Sequence, residues 1–353
     1  MTEPRAMRGR LAFAARVGQP FDAVIEIDAA PGFLAESAEG HEATGLRFDP
    51  AALRLYGIPS VDGFFMLEVT GSMAGRPARL SVELPVSPDP WALWQDVPSE
   101  TDAPFARPDT DHAALDGPVR AVMASRRGRK HAHSGAHRED HAGIAQAGMW
   151  GVAAVADGAG SAALSREGAR VAVHAALDAL TTAPSPDLTD ALGRAALALE
   201  TLAAREARPV VDFATTLILG ALRPVPTGWE AACISVGDGL AALWDGEGVL
   251  AMMTADGGEF AGQTRFLSPH AAAQAQVRTA TLPTLCGFCL MTDGVSDAQF
   301  PAPIDETDPA HWRRLWAEID GLGPAALCDW LNFRVQGEHD DRSLVILAPG
   351  VGG

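Results

Sequence analysis

From about residue 11 to residue 86, short apolar runs are broken by turn residues, and helical spacing is weak. Val24, Ile25 and Ile27 open one run, Phe64, Phe65, Leu67 and Val69 nearly alternate, and Leu80, Val82 and Leu84 alternate strictly. A period of two is the mark of strands with one buried face, so residues 1–87 are expected to form a small all-β sandwich. Residues 88–117 carry Pro88, Pro90, Pro98, Pro104 and Pro108 among Asp and Ser, which reads as a linker.

Residues 118–353 read as a second domain of strands and helices. Residues 151–155 form an apolar run ending at Asp157-Gly158. Residues 161–180, with Ser161 as N-cap, and 188–207 are spaced as two helices. Runs at 215–222, 231–236, 240–244 and 249–253 follow as a strand meander with turns at Gly237-Asp238-Gly239 and Asp245-Gly246. A strand at 286–292, one helix over 312–333 and a last strand at 343–347 complete the pattern. The order predicts an α+β fold, a central antiparallel β-sandwich flanked by helices, rather than a parallel βαβ repeat.

Composition narrows the function. The 353-residue chain is 47% hydrophobic and 20% charged, as expected of folded domains, and its formal net charge is -18. Affinity for phosphodiester backbones comes from clustered Lys and Arg, so no nucleic-acid partner is expected. No uncharged apolar stretch approaches the roughly 18 residues of a membrane span, and the run at 11–15 is too short for the apolar part of a signal peptide. A cytoplasmic protein with no membrane partner is expected. Cys233, Cys286, Cys289 and Cys328 are too scattered for a disulfide framework. The Cys286/Cys289 pair lies in an apolar run and reads as core, not as half of a zinc site.

The chemistry lies in aspartates at the ends of apolar runs. Asp157 follows residues 152–156, Asp293 follows 289–292, and Asp340 precedes 343–347. Strand ends hold side chains rigidly, and glycines after Asp157 and Asp293 let the backbone approach an ion. Oxygen ligands of this kind suit Mg2+ or Mn2+. In order along the chain stand Glu139-Asp140, Val155-Ala156-Asp157-Gly158-Ala159-Gly160, Thr215-Thr216-Leu217, Val236-Gly237-Asp238, Asp293-Gly294-Val295-Ser296-Asp297 and Asp340-Asp341-Arg342-Ser343. This set resembles the PPM family of metal-dependent serine/threonine protein phosphatases, the type 2C group, in a bacterial subgroup.

The resemblance implies an αββα fold and hydrolysis of phosphoserine or phosphothreonine on proteins, opposing a serine/threonine kinase. It implies two Mn2+ or Mg2+ ions with positions for a third. Asp157 would bridge the two, Gly158 would offer its carbonyl, Asp293 and Asp340 would ligate, and Glu139 and Asp140 would bind through water. Asp238 and Asp297 match the third-ion positions. Asp341 replaces a commoner asparagine, which leaves open whether Asp340 or Asp341 coordinates. Two such ions activate a water for in-line attack at phosphorus, and the chain has no C-x5-R signature for thiolate attack.

The family's phosphate-gripping arginine falls at Gly135 here. The basic stretch 126–133 resembles the G-x-x-H form of the bacterial subgroup, with His131 and Arg138 as substitutes for that arginine and as candidate catalytic residues. Gly258-Glu259-Phe260-Ala261 with Thr264-Arg265-Phe266-Leu267 also resembles that subgroup. In the first domain, Gly45-Leu46-Arg47-Phe48-Asp49-Pro50, Leu55-Tyr56-Gly57-Ile58-Pro59 and Gly63-Phe64-Phe65 resemble immunoglobulin-like or cadherin-like sandwich domains, implying a binding or spacer module. The alternatives are a catalytically silent scaffold that binds a protein partner and a metal-dependent nuclease or small-molecule phosphoesterase.

Overall fold

The structure is a computed structural model that describes residues 5–27, 32–183, 185–253, 264–301 and 304–350. The segment 258–261 lies outside the described residues. The chain divides into two compact units, Met1–Gln95 and Asp96–Gly353.

The first unit is all β. Its centre is the hairpin of Gly63–Met73 with Arg76–Ser87, paired in register from Met73↔Arg76 to Gly63↔Val86. The turn between them, Ala74-Gly75, has positive φ at both residues, the conformation that suits tight hairpins. Strand Arg5–Arg10 joins the hairpin in parallel at Arg76–Ser87, and Phe33–Glu39 joins at Gly63–Met73. A three-stranded sheet of Phe21–Val24, Arg54–Gly57 and Leu46–Asp49 shares its core, in which Leu55, Leu67, Val69, Leu80, Val82 and Leu84 are fully buried.

The second unit contains two antiparallel sheets. One runs in the order Thr110–Leu115, Val119–Arg126, Arg342–Pro349, Gly287–Met291, Leu240–Trp244, Val249–Met253. The other runs His141–Ala147, Trp150–Ala156, Leu217–Val225, Gly228–Val236, Arg278–Leu282. Their inner strands are largely apolar because both faces are buried, and the period of two sorts each residue to a core. In Trp150–Ala156, Val152, Ala154 and Ala156 face helices α2 (Ser165–Thr181) and α3 (Leu188–Arg205), whereas Ala153 and Val155 face the opposite sheet. In Arg342–Pro349, Val345 and Leu347 join that inter-sheet core, and Leu344 and Ile346 face α6 (Pro309–Ile319) and α7 (Pro324–Trp330). The result is the four-layered αββα architecture.

Several expectations are corrected. Residues 88–117 are not a free linker: Thr110–Leu115 is the outer strand of the first sheet, its alternate residues half-buried against Val119–Arg126. The runs from 215 to 253 are not one meander, because the chain crosses between sheets at 237–239. The helix read over 312–333 is broken at 320–323, where Gly321 adopts φ 71° and Pro324 begins a new helix. Helix α2 starts at Ser165, capped at Leu164 rather than Ser161.

Candidate active site

The acidic residues converge where strand ends of both sheets meet. Asp157 leaves Trp150–Ala156 and is fixed by the two threonines that follow in the Thr215-Thr216-Leu217 block. The Thr216 N–H and the Thr215 hydroxyl both donate to the Asp157 carbonyl at 2.8 Å, and the Asp157 N–H donates to Thr216 Oγ1 at 3.0 Å. Gly158 is packed so tightly that a Cβ there would lie 2.9 Å from the Glu139 carbonyl oxygen and 2.9 Å from Ser165 Cβ. Gly237, at φ 108°, brings Asp238 over Thr216, whose Cγ2 would stand 2.5 Å from an added Cβ.

Asp293 is the first residue of helix α5 (Asp293–Gln299), not part of a turn, and the i,i+4 spacing puts Asp297 on the same face one turn later. The neighbouring Gly294 lets α5 approach the Asp341 carbonyl, which would sit 2.0 Å from a Cβ. Glu139 and Asp140 immediately precede strand His141–Ala147. Asp140 is fully enclosed and accepts the Thr292 hydroxyl at 2.8 Å; Thr292 Oγ1 in turn accepts the Ser343 N–H at 3.0 Å.

Carboxylate oxygens of Asp157, Asp238 and Asp293 all lie within 4.8 Å of one another. Burial first, then the charges of Asp140, Asp293 and Asp340, pushes Asp157 well above the usual carboxylate range. Burial and the charge of Asp341 do the same to Asp140, and burial with Asp238 and Asp340 raises Asp293 to about 7. Glu139 Oε2, Asp140 Oδ1 and Asp238 Oδ1 are buried without a hydrogen-bond partner. Unpaired buried oxygens are costly. The convergent oxygens of Asp157, Asp238 and Asp293, with no sulfur among them, fit a hard divalent cation.

The last acidic pair divides its duties. Asp341 is 2% exposed and accepts the N–H groups of Gly128 (2.6 Å), Glu139 (2.5 Å) and Asp140 (3.4 Å), with His131 Nδ1 at 3.0 Å. Burial alone would raise its pKa, but His131 and these N–H groups outweigh burial and lower it. Its lone pairs are taken, whereas Asp340 is half-buried and its charge is felt at both Asp157 and Asp293. Asp340, Asp341 and His131 form a second close group.

The predicted basic residues part company. Arg138 is 1% exposed, donates through Nε to the Pro108 carbonyl at 3.3 Å and stands 3.8 Å from Asp111, so it cannot reach a substrate and its proposed role as phosphate grip is corrected. A run of basic letters does not reveal which ones turn inward. His131, on helix α1 (Arg129–Ser134), is buried against Asp341 and lies 3.5 Å from Glu139. Burial works against its charge, but the carboxylates of Asp341, Glu139 and Asp340 prevail and raise it to about 9. The cation at the rim is Lys130, half-exposed, with Nζ 3.5 Å from Asp340 Oδ2. The roles of Lys130, Thr216 and Thr292 are not written in the sequence: Lys130 is marked only by its place in the basic stretch, Thr216 by its place in the Thr215-Thr216-Leu217 block, and Thr292 by its place before Asp293. A cavity of about 650 Å³ beside Arg8, Met66 and Glu83 belongs to the first unit and includes none of these residues.

Residues 127–332 match the family described as protein phosphatase 2C. Among solved structures, the chain is similar to a bacterial serine phosphatase carrying one substitution, with a TM-score of 0.50 at 13% identity over 66% of this chain and 99% of that one. It is also similar to RsbX crystallised with magnesium, with a TM-score of 0.46 at 15% identity over 67% of this chain and 99% of that one. The serine/threonine phosphatase Stp1 from Staphylococcus aureus aligns with a TM-score of 0.47 at 13% identity over 69% of this chain and 99% of that one. No curated protein matches the chain in sequence.

Proposed function

Because the chain belongs to the protein phosphatase 2C family, we propose that it hydrolyses phosphoserine and phosphothreonine on proteins, using Mn2+ or Mg2+ held by its strand-end carboxylates and opposing a protein kinase. The observation that carries this reading is the approach of Asp157, Asp238 and Asp293 within 4.8 Å. Asp157, Asp293, Asp340 and the Gly158 carbonyl would hold two ions, with Glu139 and Asp140 behind them. Asp238 and Asp297 would serve a third. When bound, such ions make a water acidic enough to attack phosphorus near neutral pH and offset the charge of the phosphate.

The chain's own residues prepare that reaction. Thr215 and Thr216 fix the Asp157 backbone, so its carboxylate does not have to be ordered at each turnover. Lys130 meets the phosphate at the rim as a charge-assisted donor. His131 positions Glu139 and Asp341 from beneath. A new P–O bond forms to the oxygen of the attacking water as the ester P–O bond breaks, and the proton that water gives up is balanced by the one the departing serine or threonine alkoxide takes up. Attack by a thiolate finds no support, since burial pushes Cys233 and Cys289 up to about 12 and keeps both thiols neutral. The first unit is read as a binding or spacer module of immunoglobulin-like or cadherin-like kind.

Phosphate release from a phosphothreonine peptide with Mn2+ tests the reading. Wild-type protein should release phosphate, and Asp157→Asn should lower kcat/KM at least about 100-fold. Equal rates, or no release from either protein, would contradict it; a catalytically silent scaffold would give the second result.

A further inference from the structure

We propose that Arg127 is a positioning residue for phosphate binding: its buried guanidinium clamps helix α1 against the segment 96–109 and thereby holds Lys130 at the rim of the carboxylate cluster. The inference rests on the phosphatase reading, in which Lys130 meets the phosphate, and adds the residue that places it. The partners of Arg127 lie outside the carboxylate cluster, so it acts through α1.

Helix α1 does not hold itself in place. It has six residues, Gly128 at its N-cap offers no side-chain bond, and Arg129 and Lys130 put positive charge at its N-terminal end, where the helix dipole disfavours it. Isolated helices shorter than about 12–15 residues are marginal in water, so the placement of α1 is set by contacts from outside. On one side the Gly128 N–H donates to Asp341 Oδ1 at 2.6 Å and the Lys130 N–H to the His339 carbonyl at 3.0 Å. On the other side the Val97 N–H donates to the Ala132 carbonyl at 2.8 Å. Val97 also packs on the turn at Gly135, where an added Cβ would lie 3.0 Å from Val97 Cγ1.

Arg127 joins that second side to the sheet. It follows strand Val119–Arg126 directly, its N–H donates to the Asp109 carbonyl at 2.7 Å, and its side chain is 3% exposed. Nη1 donates to the Ala136 carbonyl, just past α1, at 3.2 Å. Nη2 donates to the Val97 carbonyl at 3.2 Å and to Asp96 Oδ1 at 2.9 Å, with Asp109 Oδ2 also 3.2 Å away. One planar fork therefore binds the end of α1 together with the start and the end of the segment 96–109, a task for which a lysine head lacks the geometry. Ala132, which takes the Val97 N–H, lies two residues from Lys130, about 3 Å along the helix axis. Loosening the clamp releases the backbone that carries Lys130, while the Asp341 and His339 contacts hold only its N-terminal end.

Mn2+-loaded protein, titrated with inorganic phosphate in a calorimeter and assayed with p-nitrophenyl phosphate, tests the proposal. Arg127→Lys keeps the buried charge but not the fork. It should bind phosphate roughly ten-fold more weakly than wild type, with the loss of turnover falling in KM more than in kcat. Val97→Pro removes the N–H that Ala132 accepts and should weaken phosphate binding in the same way. Val97 precedes Pro98 and is already biased to extended backbone, so a proline fits there, and this variant gives the reading if Arg127→Lys does not fold. In a Lys130→Ala background neither change should weaken phosphate binding further, because the residue they position is gone. Hydrogen exchange at the Ala132 and Ala136 amides should rise in both variants, with the amides of Val119–Arg126 still protected. Unchanged affinity or unchanged exchange in the folded variants, an equal loss in the Lys130→Ala background, or no phosphate binding by wild-type protein overturns the positioning role. Wild-type protein that binds phosphate with this non-additive pattern yet turns over no ester counts against the phosphatase reading alone; turnover with additive losses counts against Arg127 alone.

Discussion

Asp341 and Asp340 are adjacent in sequence and opposite in duty. Asp341 closes a buried ion pair with His131 and caps three backbone N–H groups. Removing one partner of such a pair leaves the other buried and uncompensated, so Asp341→Ala should cost about 3–5 kcal/mol in urea unfolding, and Asp341→Asn clearly less. Asp293 carries the opposite strain. Its pKa is raised to about 7 by burial and by Asp238 and Asp340, against about 3.9 in an unfolded chain. Its contribution to stability is therefore full below the unfolded value and is lost as pH rises through about 7. Buried His141, held neutral down to about 2 by burial and by Arg138, pulls the other way between these pH values. The comparison with Asp293→Asn isolates the carboxylate. In chelator-treated protein the variant's melting temperature should gain on wild type from pH 5 to pH 8, and a constant difference would contradict the repulsion. The aspartates were legible because each borders an apolar run. The division between Asp340 and Asp341, and the burial of Arg138 beside exposed Lys130, were not, because neither burial nor a hydrogen-bond partner is written in a local pattern.

At the scale of elements, legibility followed periodicity. The strands that announced themselves as apolar runs, such as Trp150–Ala156, Leu240–Trp244, Gly287–Met291 and Arg342–Pro349, are covered on both faces, whereas the half-exposed Thr110–Leu115 and Arg278–Leu282 did not, and α2 and α3 showed by their helical spacing. The segment 96–109 was hidden by its prolines. It is strapped to the catalytic unit by side chains that act at a distance: Arg166 donates to the carbonyls of Pro104 and Phe105, Arg127 to Val97 and Asp96, and Arg107 to Glu167. Glu167, 1% exposed on α2, also takes both donors of Arg170 at 2.9 and 2.6 Å. Glu167→Ala leaves two guanidinium groups without their carboxylate, and a loss of about 3–5 kcal/mol is expected. Hydrogen exchange should rise first in residues 104–108. Unchanged protection there would show that the strap does not depend on Glu167.

For the molecule as a whole, the net charge of -18 and the carboxylate cluster point the same way: the second unit gathers carboxylates at the meeting of its two sheets, the place where divalent cations are proposed to bind. The sheet order, with Val119–Arg126 and the last strand, Arg342–Pro349, side by side, is what brings Gly128 and His131 to Asp341 across about two hundred residues. No periodicity reports such a pairing; the order of motifs did. Among the described residues no helix is long and apolar enough to cross a membrane. The most direct measurement is a crystal structure of Mn2+-soaked protein with anomalous data at the manganese edge. Two peaks bounded by Asp157, Asp293 and Asp340 are expected, both absent in Asp157→Asn. No peak among these carboxylates at saturating Mn2+ would contradict the account.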